Sequence, residues 1–130
     1  MASASATVHE DPEKLKPETI ERHRAIVSIM EELEAVDWYD QRVDASEDEE
    51  LRAILAHNRD EEKEHAAMVL EWLRRRDPQL DAHLRTFLFT DRPVLEIEEQ
   101  EEGAPAKGQN AGEPADGSLG IGSLKREVAP

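Results

Sequence analysis

Apolar residues recur at helical spacing through the first third of the chain. Ile29, Val36 and Val43 are seven residues apart, and further apolar positions beside them widen the face. This repeat predicts an amphipathic helix from Pro17 to Val43. Proline suits the first helical position, and no glycine or later proline interrupts the run. At ~1.5 Å per residue, such a helix is about 40 Å long.

Two further helices are predicted downstream. Ser46 and Glu49 form an S-x-x-E capping box ahead of an apolar series that extends to Leu73, which is typical of a helix N-terminus. Asp77 and Pro78 have the residue types of an N-cap and a first helical position, which predicts a shorter third helix. Because only about three residues link the first two helices, we expect them to form an antiparallel hairpin.

The composition changes after these helices. Residues 98–117, EEQEEGAPAKGQNAGEPADG, are rich in glutamate, glycine, alanine and proline, which predicts a disordered linker. Apolar residues then return among glycines and serines in SLGIGSLK. The sequence therefore predicts an all-α protein with a flexible tail over 1–12, a helical domain over 13–97, the linker, and a separate segment over 118–130.

The charge argues against several classes of partner. The formal net charge is −15 at pH 7, which disfavours nucleic-acid phosphates and anionic membranes and attracts small cations. The chain has no cysteine, so disulfides, thiolate zinc sites and cysteine nucleophiles are excluded. No secretory signal is recognised, and no apolar run approaches the ~20 residues of a membrane span. We therefore expect a cytoplasmic protein that binds neither nucleic acid nor membrane.

Three ionisable side chains interrupt the apolar faces of the two long helices. Glu32 is the only charge in its row of the first helix, and Glu62 and His65 interrupt the second. Burying an unpaired carboxylate is costly, and proteins tolerate it when the charge is paired or binds a metal. A glutamate and a histidine at i and i+3 lie side by side and can reach one centre. Carboxylates and an imidazole without sulfur suit iron(II) or manganese and also accept zinc.

This set is half of a two-metal centre. In helical bundles that hold two irons, a glutamate from each of two helices joins a Glu-x-x-His motif from each of the other two. One chain supplies Glu32 and Glu62-x-x-His65, so two chains supply both halves. Glu32 lies nearer the interhelical link than Glu62 by about one helical turn, which favours ligands that meet between chains. The pattern therefore predicts a homodimer with metals on its two-fold axis.

Plainer interpretations of the same residues stay open. Glu62 and His65 bonded to each other, or a polar layer that sets helix register, account for the motif without a metal. A second set of acidic, histidine and tryptophan residues on neighbouring faces is either a solvated surface or a path of weak metal sites. These residues are Glu31, Glu34 and Trp38 on the first helix and His57, Glu61 and Glu64 on the second.

The chain resembles the encapsulated ferritins, the iron-oxidising cargo proteins of encapsulin nanocompartments. The resemblance covers EELEAVDWYDQRVDAS at 31–46 and ILAHNRDEEKEHAAMVLEWLRR at 54–75, and it resumes with SLGIGSLK at 118–125. The combination is specific, because the helical and C-terminal features are distant and chemically unrelated. It implies a ferritin-like four-helix bundle made by two chains, assembled as five dimers in a ring.

The resemblance also implies roles for individual residues. It gives the dimer a ferroxidase centre that holds two irons, with acidic entry and peripheral metal sites around it. The matching positions are Glu32, Glu62 and His65 in the centre, Glu31 and Glu34 with Trp38 beside them at the entry site, and His57, Glu61 and Glu64 at the peripheral site.

The C-terminal segment resembles an encapsulin-targeting peptide. Leu119, Ile121 and Leu124 would be its apolar anchors on the inner wall of the shell. The resemblance therefore implies a ferroxidase inside a nanocompartment whose shell stores the oxidised iron. A metal-binding protein without turnover, a structural acidic scaffold and a di-iron centre that uses peroxide remain alternatives.

Overall fold

A computed structural model describes residues 6–103, and its regular elements are all helical. After a 3-10 turn at Pro12–Lys14, the helices are α1 (Pro17–Ala45), α2 (Glu49–Arg76), α3 (Pro78–Phe87) and α4 (Val94–Gly103). The predicted all-α class is confirmed for this part of the chain. None of these helices is long and apolar enough to cross a membrane.

Helices α1 and α2 pack as the predicted antiparallel hairpin. The Arg52 guanidinium donates to the carbonyl oxygen of Val43 at 3.2 Å. Further along α2, Arg59 donates to the carboxylate of Asp40 at 2.9 Å. The contacts therefore move backwards along α1 as they move forwards along α2. This pairing sets which positions of the two helices lie level with each other.

The core of one chain is thin. Among the described residues only Ala25, Ala66, Leu73 and Ile97 are buried. Several large apolar side chains of the two long helices stay open to solvent. They include Ile26, Met30 and Leu33 on α1 and Leu51, Ile54 and Met68 on α2. Apolar surface of this extent is typical of a face that another chain covers.

The N-terminus of α2 differs from the predicted capping box. Asp48 is the N-cap, and its carboxylate accepts the backbone N–H of Leu51 at 2.8 Å. Ser46 is instead the C-cap of α1, and its hydroxyl oxygen accepts the Asp48 N–H at 3.4 Å. Aspartate caps a helix as well as serine does and adds negative charge at the positive end of the helix dipole. The prediction that Ser46 caps α2 is therefore wrong.

The next boundary lies where the sequence pattern predicts it, with Asp77 directly before the first residue of α3. Pro78 begins α3, as predicted. Asp77 is the C-cap of α2, and its backbone N–H donates to the carbonyl oxygen of Arg74 at 3.4 Å. A single residue therefore separates α2 from α3.

Helix α4 is not predicted by the sequence pattern. It includes residues 98–103, so the start of the predicted disordered linker is helical. The carbonyl oxygen of Pro93 accepts the N–H groups of Glu96 and Ile97, each at 3.1 Å. Ile97 is only 3% exposed, and its burial anchors a segment whose glutamates are good helix formers. The rest of the linker, 104–117, lies outside the described residues.

The connection between α3 and α4 contains one strained residue. Phe89 has a φ of 61°, in the left-handed region, which costs a side chain about 1–2 kcal/mol. Its side chain is fully exposed. Packing within the described part of the chain therefore does not offset the strain.

We expect Asp48→Ala to lower the free energy of unfolding by about 1 kcal/mol, because the Leu51 N–H loses its acceptor. Ser46→Ala is the matched change at the predicted cap and should cost less, since Ser46 accepts only the 3.4 Å bond from Asp48. Urea unfolding at one fixed protein concentration measures both losses. An equal or larger loss for Ser46→Ala would contradict the observed capping.

Candidate metal centre

The three predicted ligands meet within a single hairpin. Glu32 lies on α1, and Glu62 and His65 lie on α2. One ligand atom from each residue lies within 4.8 Å of the other two. The offset of about one turn along the helix axis therefore does not separate them, because glutamate side chains are long enough to span it. The offset along the helices is therefore no argument for a site between chains, and the shared centre stays a prediction.

Histidine is the link between the two carboxyl groups. His65 Nδ1 lies 3.1 Å from Glu62 Oε1, which is hydrogen-bonding distance. The same nitrogen lies 3.7 Å from Glu32 Oε1, close enough for an ion pair but too far for a good hydrogen bond. A carboxylate oxygen accepts hydrogen bonds, so this contact is satisfied when Nδ1 of His65 carries the proton.

The centre is open to solvent in one chain. The side chain of Glu32 is 27% exposed, that of Glu62 is 24% exposed, and that of His65 is 47% exposed. None of the polar or charged residues within 6–103 is buried. The expected burial of these charges is therefore not found in a single hairpin.

Proton affinities in the centre are coupled. Hydrogen bonding to Glu62, followed by partial burial, raises the pKa of Glu32. Hydrogen bonding to Glu32 and His65 lowers the pKa of Glu62. The hydrogen bond to Glu62 also raises the pKa of His65. The two carboxyl groups thus favour a shared proton and a neighbouring imidazolium, both of which a divalent cation can replace.

The donor set restricts the metals that fit. Two carboxylates and one imidazole nitrogen, without sulfur, suit iron(II) and manganese and also accept zinc. Three protein ligands leave the coordination of any of these ions incomplete. The centre in one chain is therefore suited to a metal that has further ligands elsewhere.

The predicted entry residues do not join this centre. Glu31, Glu34 and Trp38 are exposed on α1, and the Trp38 side chain is 48% exposed. In the described part of the chain, Glu32, Glu62 and His65 are the one group of three ligand residues close enough to hold an ion. The structure therefore leaves the entry residues on the open surface.

The predicted peripheral residues come together only in part. His57 Nε2 lies 3.1 Å from Glu61 Oε2, one turn along α2, and both side chains are exposed. Glu64 is exposed and lies at one end of a surface groove along α2, which has a volume of about 530 Å³. The predicted shell anchors Leu119, Ile121 and Leu124 lie outside the described residues.

Sequence reasoning missed one contact that supports the centre. Arg59 is only 23% exposed and binds both Asp40 and Asp60. Its bond to Asp40 ties α1 to α2 about two turns from Glu32. In the sequence this contact would show as a positive and a negative residue at facing positions of α1 and α2. It can be recognised only when the alignment of the two helices along each other is known.

Comparisons with known proteins agree with one another. A family model described as EncFtn-like matches residues 7–91. The chain is 64% identical to the encapsulated ferritin-like protein of Rhodospirillum rubrum, over 99% of this chain and 95% of that protein. It is 36% identical to the encapsulin nanocompartment cargo protein EncC of Myxococcus xanthus, over 77% of this chain and 81% of that protein.

A solved structure is also similar. The crystal structure of a protein from Nitrosomonas europaea matches with a TM-score of 0.66 and 61% sequence identity. The match covers 67% of this chain and 96% of that one. The helical arrangement described above is therefore shared with an experimentally determined structure.

We expect Glu62→Gln to lower the pKa of His65 in the metal-free protein, because the Glu62 carboxylate is the largest cause of its rise. Glu32→Gln should lower it less, since Glu32 acts through the longer 3.7 Å contact. The raised pKa of His65 means that its contribution to stability is complete below its unfolded-state pKa. That contribution is lost as the pH rises through the folded-state pKa.

An NMR titration of the histidine ring measures these changes. Glu47→Gln, in the exposed link between α1 and α2, is the control variant and should leave the His65 titration unchanged. Identical titration curves for Glu62→Gln and the parent would show that the 3.1 Å contact does not set the His65 pKa.

Proposed function

The chain belongs to the EncFtn-like family, and from that premise we propose that it is a ferroxidase. It oxidises iron(II) to iron(III) at a di-iron centre formed between two subunits, for mineralisation and storage inside an encapsulin nanocompartment. The observation that carries this proposal is the convergence of Glu32, Glu62 and His65. The names of the similar proteins from R. rubrum and M. xanthus support the cargo role.

The incomplete ligand set supports a centre shared by two chains. One hairpin offers two carboxylates and one imidazole, whereas known di-iron bundles use twice that set. The three side chains also remain 24–47% exposed, so a second copy can approach them. A two-fold axis at this face places Glu32, Glu62 and His65 of both chains around two metal ions. Covering the face also removes exposed apolar surface from water, which favours the dimer.

Iron(II) is the substrate in this mechanism. The net charge of −15 raises the local concentration of cations. Binding displaces the protons held by the glutamates and His65. The carboxylates stabilise the higher charge of iron(III), so they favour the loss of one electron from each iron(II). With dioxygen as the electron acceptor, two iron(II) ions would give up one electron each, and dioxygen would take up these two electrons and two protons to become hydrogen peroxide. The Glu62 carboxylate would help to hold both ions.

The exposed residues near the centre collect iron in this proposal. Glu31 and Glu34, with Trp38 beside them, form the entry site. His57, Glu61 and Glu64 form the peripheral site, and the 3.1 Å contact between His57 and Glu61 supports their joint action. Weak, exposed carboxylates bind and release cations readily, which suits transfer to the centre.

Storage requires a second protein. A hairpin of two helices encloses no cavity for a mineral, so a shell holds the product. We propose that the chain assembles as a ring of five dimers in the cytoplasm. Leu119, Ile121 and Leu124, within residues 118–125, then attach the ring to the inner wall of the shell. The family membership and the names of the relatives support this step.

Two observations favour other functions of the same residues. The donor set also accepts zinc and manganese, which fits a metal-binding protein without turnover. The 3.1 Å bond between Glu62 and His65 satisfies both groups without metal, which fits a structural cargo protein. A centre that uses peroxide in place of dioxygen shares every ligand with the proposed ferroxidase.

We expect Glu32→Ala and Glu62→Ala to abolish catalysed iron(II) oxidation. Losing a direct ligand should cost more than the ~10–100-fold that losing a supporting group costs in metal sites. Ferric absorbance and oxygen uptake, measured at sub-stoichiometric and then excess iron, report the activity. Glu47→Ala removes an exposed glutamate outside all the candidate sites and should keep the parent rate.

The outcomes separate the proposed functions. Stoichiometric binding without oxygen uptake in the parent would favour the metal-binding alternative. Oxidation with added peroxide but not with dioxygen would favour the peroxide variant. A Glu62→Ala protein that turns over at the parent rate would remove the centre from the mechanism.

Metal should also strengthen the dimer. Ions shared by two half-sites bind the dimer better than the monomer and shift the equilibrium by mass action. Sedimentation equilibrium with and without iron(II) under anaerobic conditions measures the shift, and zinc serves as an ion that cannot be oxidised. His65→Ala should reduce the shift, while Glu47→Ala should not. The same shift in His65→Ala and the parent would argue against a shared centre.

A further inference from the structure

Four exposed apolar residues flank the short connection between α3 and α4. They are Leu88, Phe89, Val94 and Leu95, with exposures of 40%, 103%, 59% and 72%, and we call them the α4 patch. Phe89 and Val94 are five positions apart, so their Cα atoms lie within about 18 Å. The four exposed residues thus lie within one short stretch of the chain.

Two features of the patch bear on its role. Val94 and Leu95 lie beyond the residues that the family model matches, 7–91. Phe89 has a left-handed φ of 61° and a fully exposed ring. A bulky residue held in this region usually has a function that outweighs the strain.

The charge around the patch restricts its partner. Helix α4 carries Glu96, Glu98, Glu99, Glu101 and Glu102, and all five are exposed. Its last turn contains no basic residue, and the one cation of the connection between α3 and α4, Arg92, donates a hydrogen bond to Gln100 of α4. The partner that fits combines apolar side chains with positive charge. A second copy of α4 does not fit, because it would bring two glutamate-rich helices together.

The chain itself contains a segment of this chemistry. Leu119, Ile121 and Leu124 are followed directly by Lys125 and Arg126. Between Gly103 and Leu119 lie 15 residues, and a coil of that length has a root-mean-square span of ~20 Å. Helix α4 is about 15 Å long, so the segment can reach any part of the patch.

We propose that the α4 patch is the docking surface for the chain's own segment Leu119–Arg126. The three apolar residues of the segment cover the patch, and Lys125 and Arg126 pair with glutamates of α4. The contact is intramolecular, and covalent attachment gives the segment a high effective concentration at the patch. If the chain has the proposed function, the contact has a consequence. The α4 patch and the shell then compete for the same apolar anchors, Leu119, Ile121 and Leu124.

Disulfide trapping in the full-length chain tests this contact, because the natural sequence has no cysteine. The test pair is Glu98→Cys with Ser123→Cys, which leaves the patch and the apolar anchors intact. The comparison pair is Glu98→Cys with Asn110→Cys. Loop closure alone favours the shorter loop of the comparison pair by about threefold. The proposal predicts the reverse order, with the 98–123 disulfide forming faster.

Charge variants show whether the contact is specific. Lys125→Glu with Arg126→Glu should slow the 98–123 disulfide to the rate expected from loop closure. Lys107→Glu changes the same kind of charge nearer to α4 and should leave the rate unchanged. Leu95→Gln with Phe89→Ser should also slow the reaction, whereas Val8→Gln, at an exposed apolar residue before α1, should not.

Denaturing gels without reductant distinguish the outcomes. An intrachain 98–123 disulfide that forms faster than the 98–110 one supports the proposal. Faster formation of the 98–110 disulfide, which is the order expected from loop closure alone, would overturn the proposal. Disulfide-linked dimers as the main product would overturn it as well, since the occupant would then be a second copy. The assay uses neither iron nor shell, so its failure leaves the proposed function untouched.

Discussion

The close approach of two glutamates is the constraint on which the centre of the hairpin depends. Glu32 and Glu62 face each other across α1 and α2, with ligand atoms within 4.8 Å. In the metal-free chain the raised pKa values of Glu32 and His65 favour their protonated forms, which reduces the repulsion within this pair. Only long, uninterrupted and antiparallel helices place such groups level with each other. A cation that replaces the protons relieves the same repulsion, so metal binding and helix packing are coupled.

The proposed dimer has two separate causes, the thin core and the incomplete ligand set. One chain buries few residues, and large apolar side chains of α1 and α2 remain in water. The ligand set is equally incomplete, with His65 47% exposed. In the proposed dimer the second copy removes apolar surface from water and completes the coordination. Stability and metal binding are therefore coupled in the proposed dimer.

Sequence periodicity predicted the two long helices well, because Pro17 begins α1 and no breaker interrupts either run. The rows of apolar residues also identified Glu32, Glu62 and His65 as neighbours. Their distances were not predictable, since side-chain reach outweighed the offset along the helix axis. The sequence also did not show that Asp48 rather than Ser46 is the N-cap of α2, because both residue types cap helices well. Helix α4 was not predicted, because its composition resembles that of a linker. Its stability depends on the burial of Ile97, which the local sequence does not show.

The charge balance of the proposed centre bears on turnover. Two copies of Glu32 and Glu62 contribute four negative charges, which two iron(II) ions neutralise. Oxidation adds a positive charge to each ion, so the carboxylates that favour electron loss also hold the product more tightly. Release then requires an anion that competes with the carboxylates for iron(III). Hydroxide and oxide from water meet that need as the mineral forms. A centre of this charge therefore works best beside a compartment where the ferric product can precipitate.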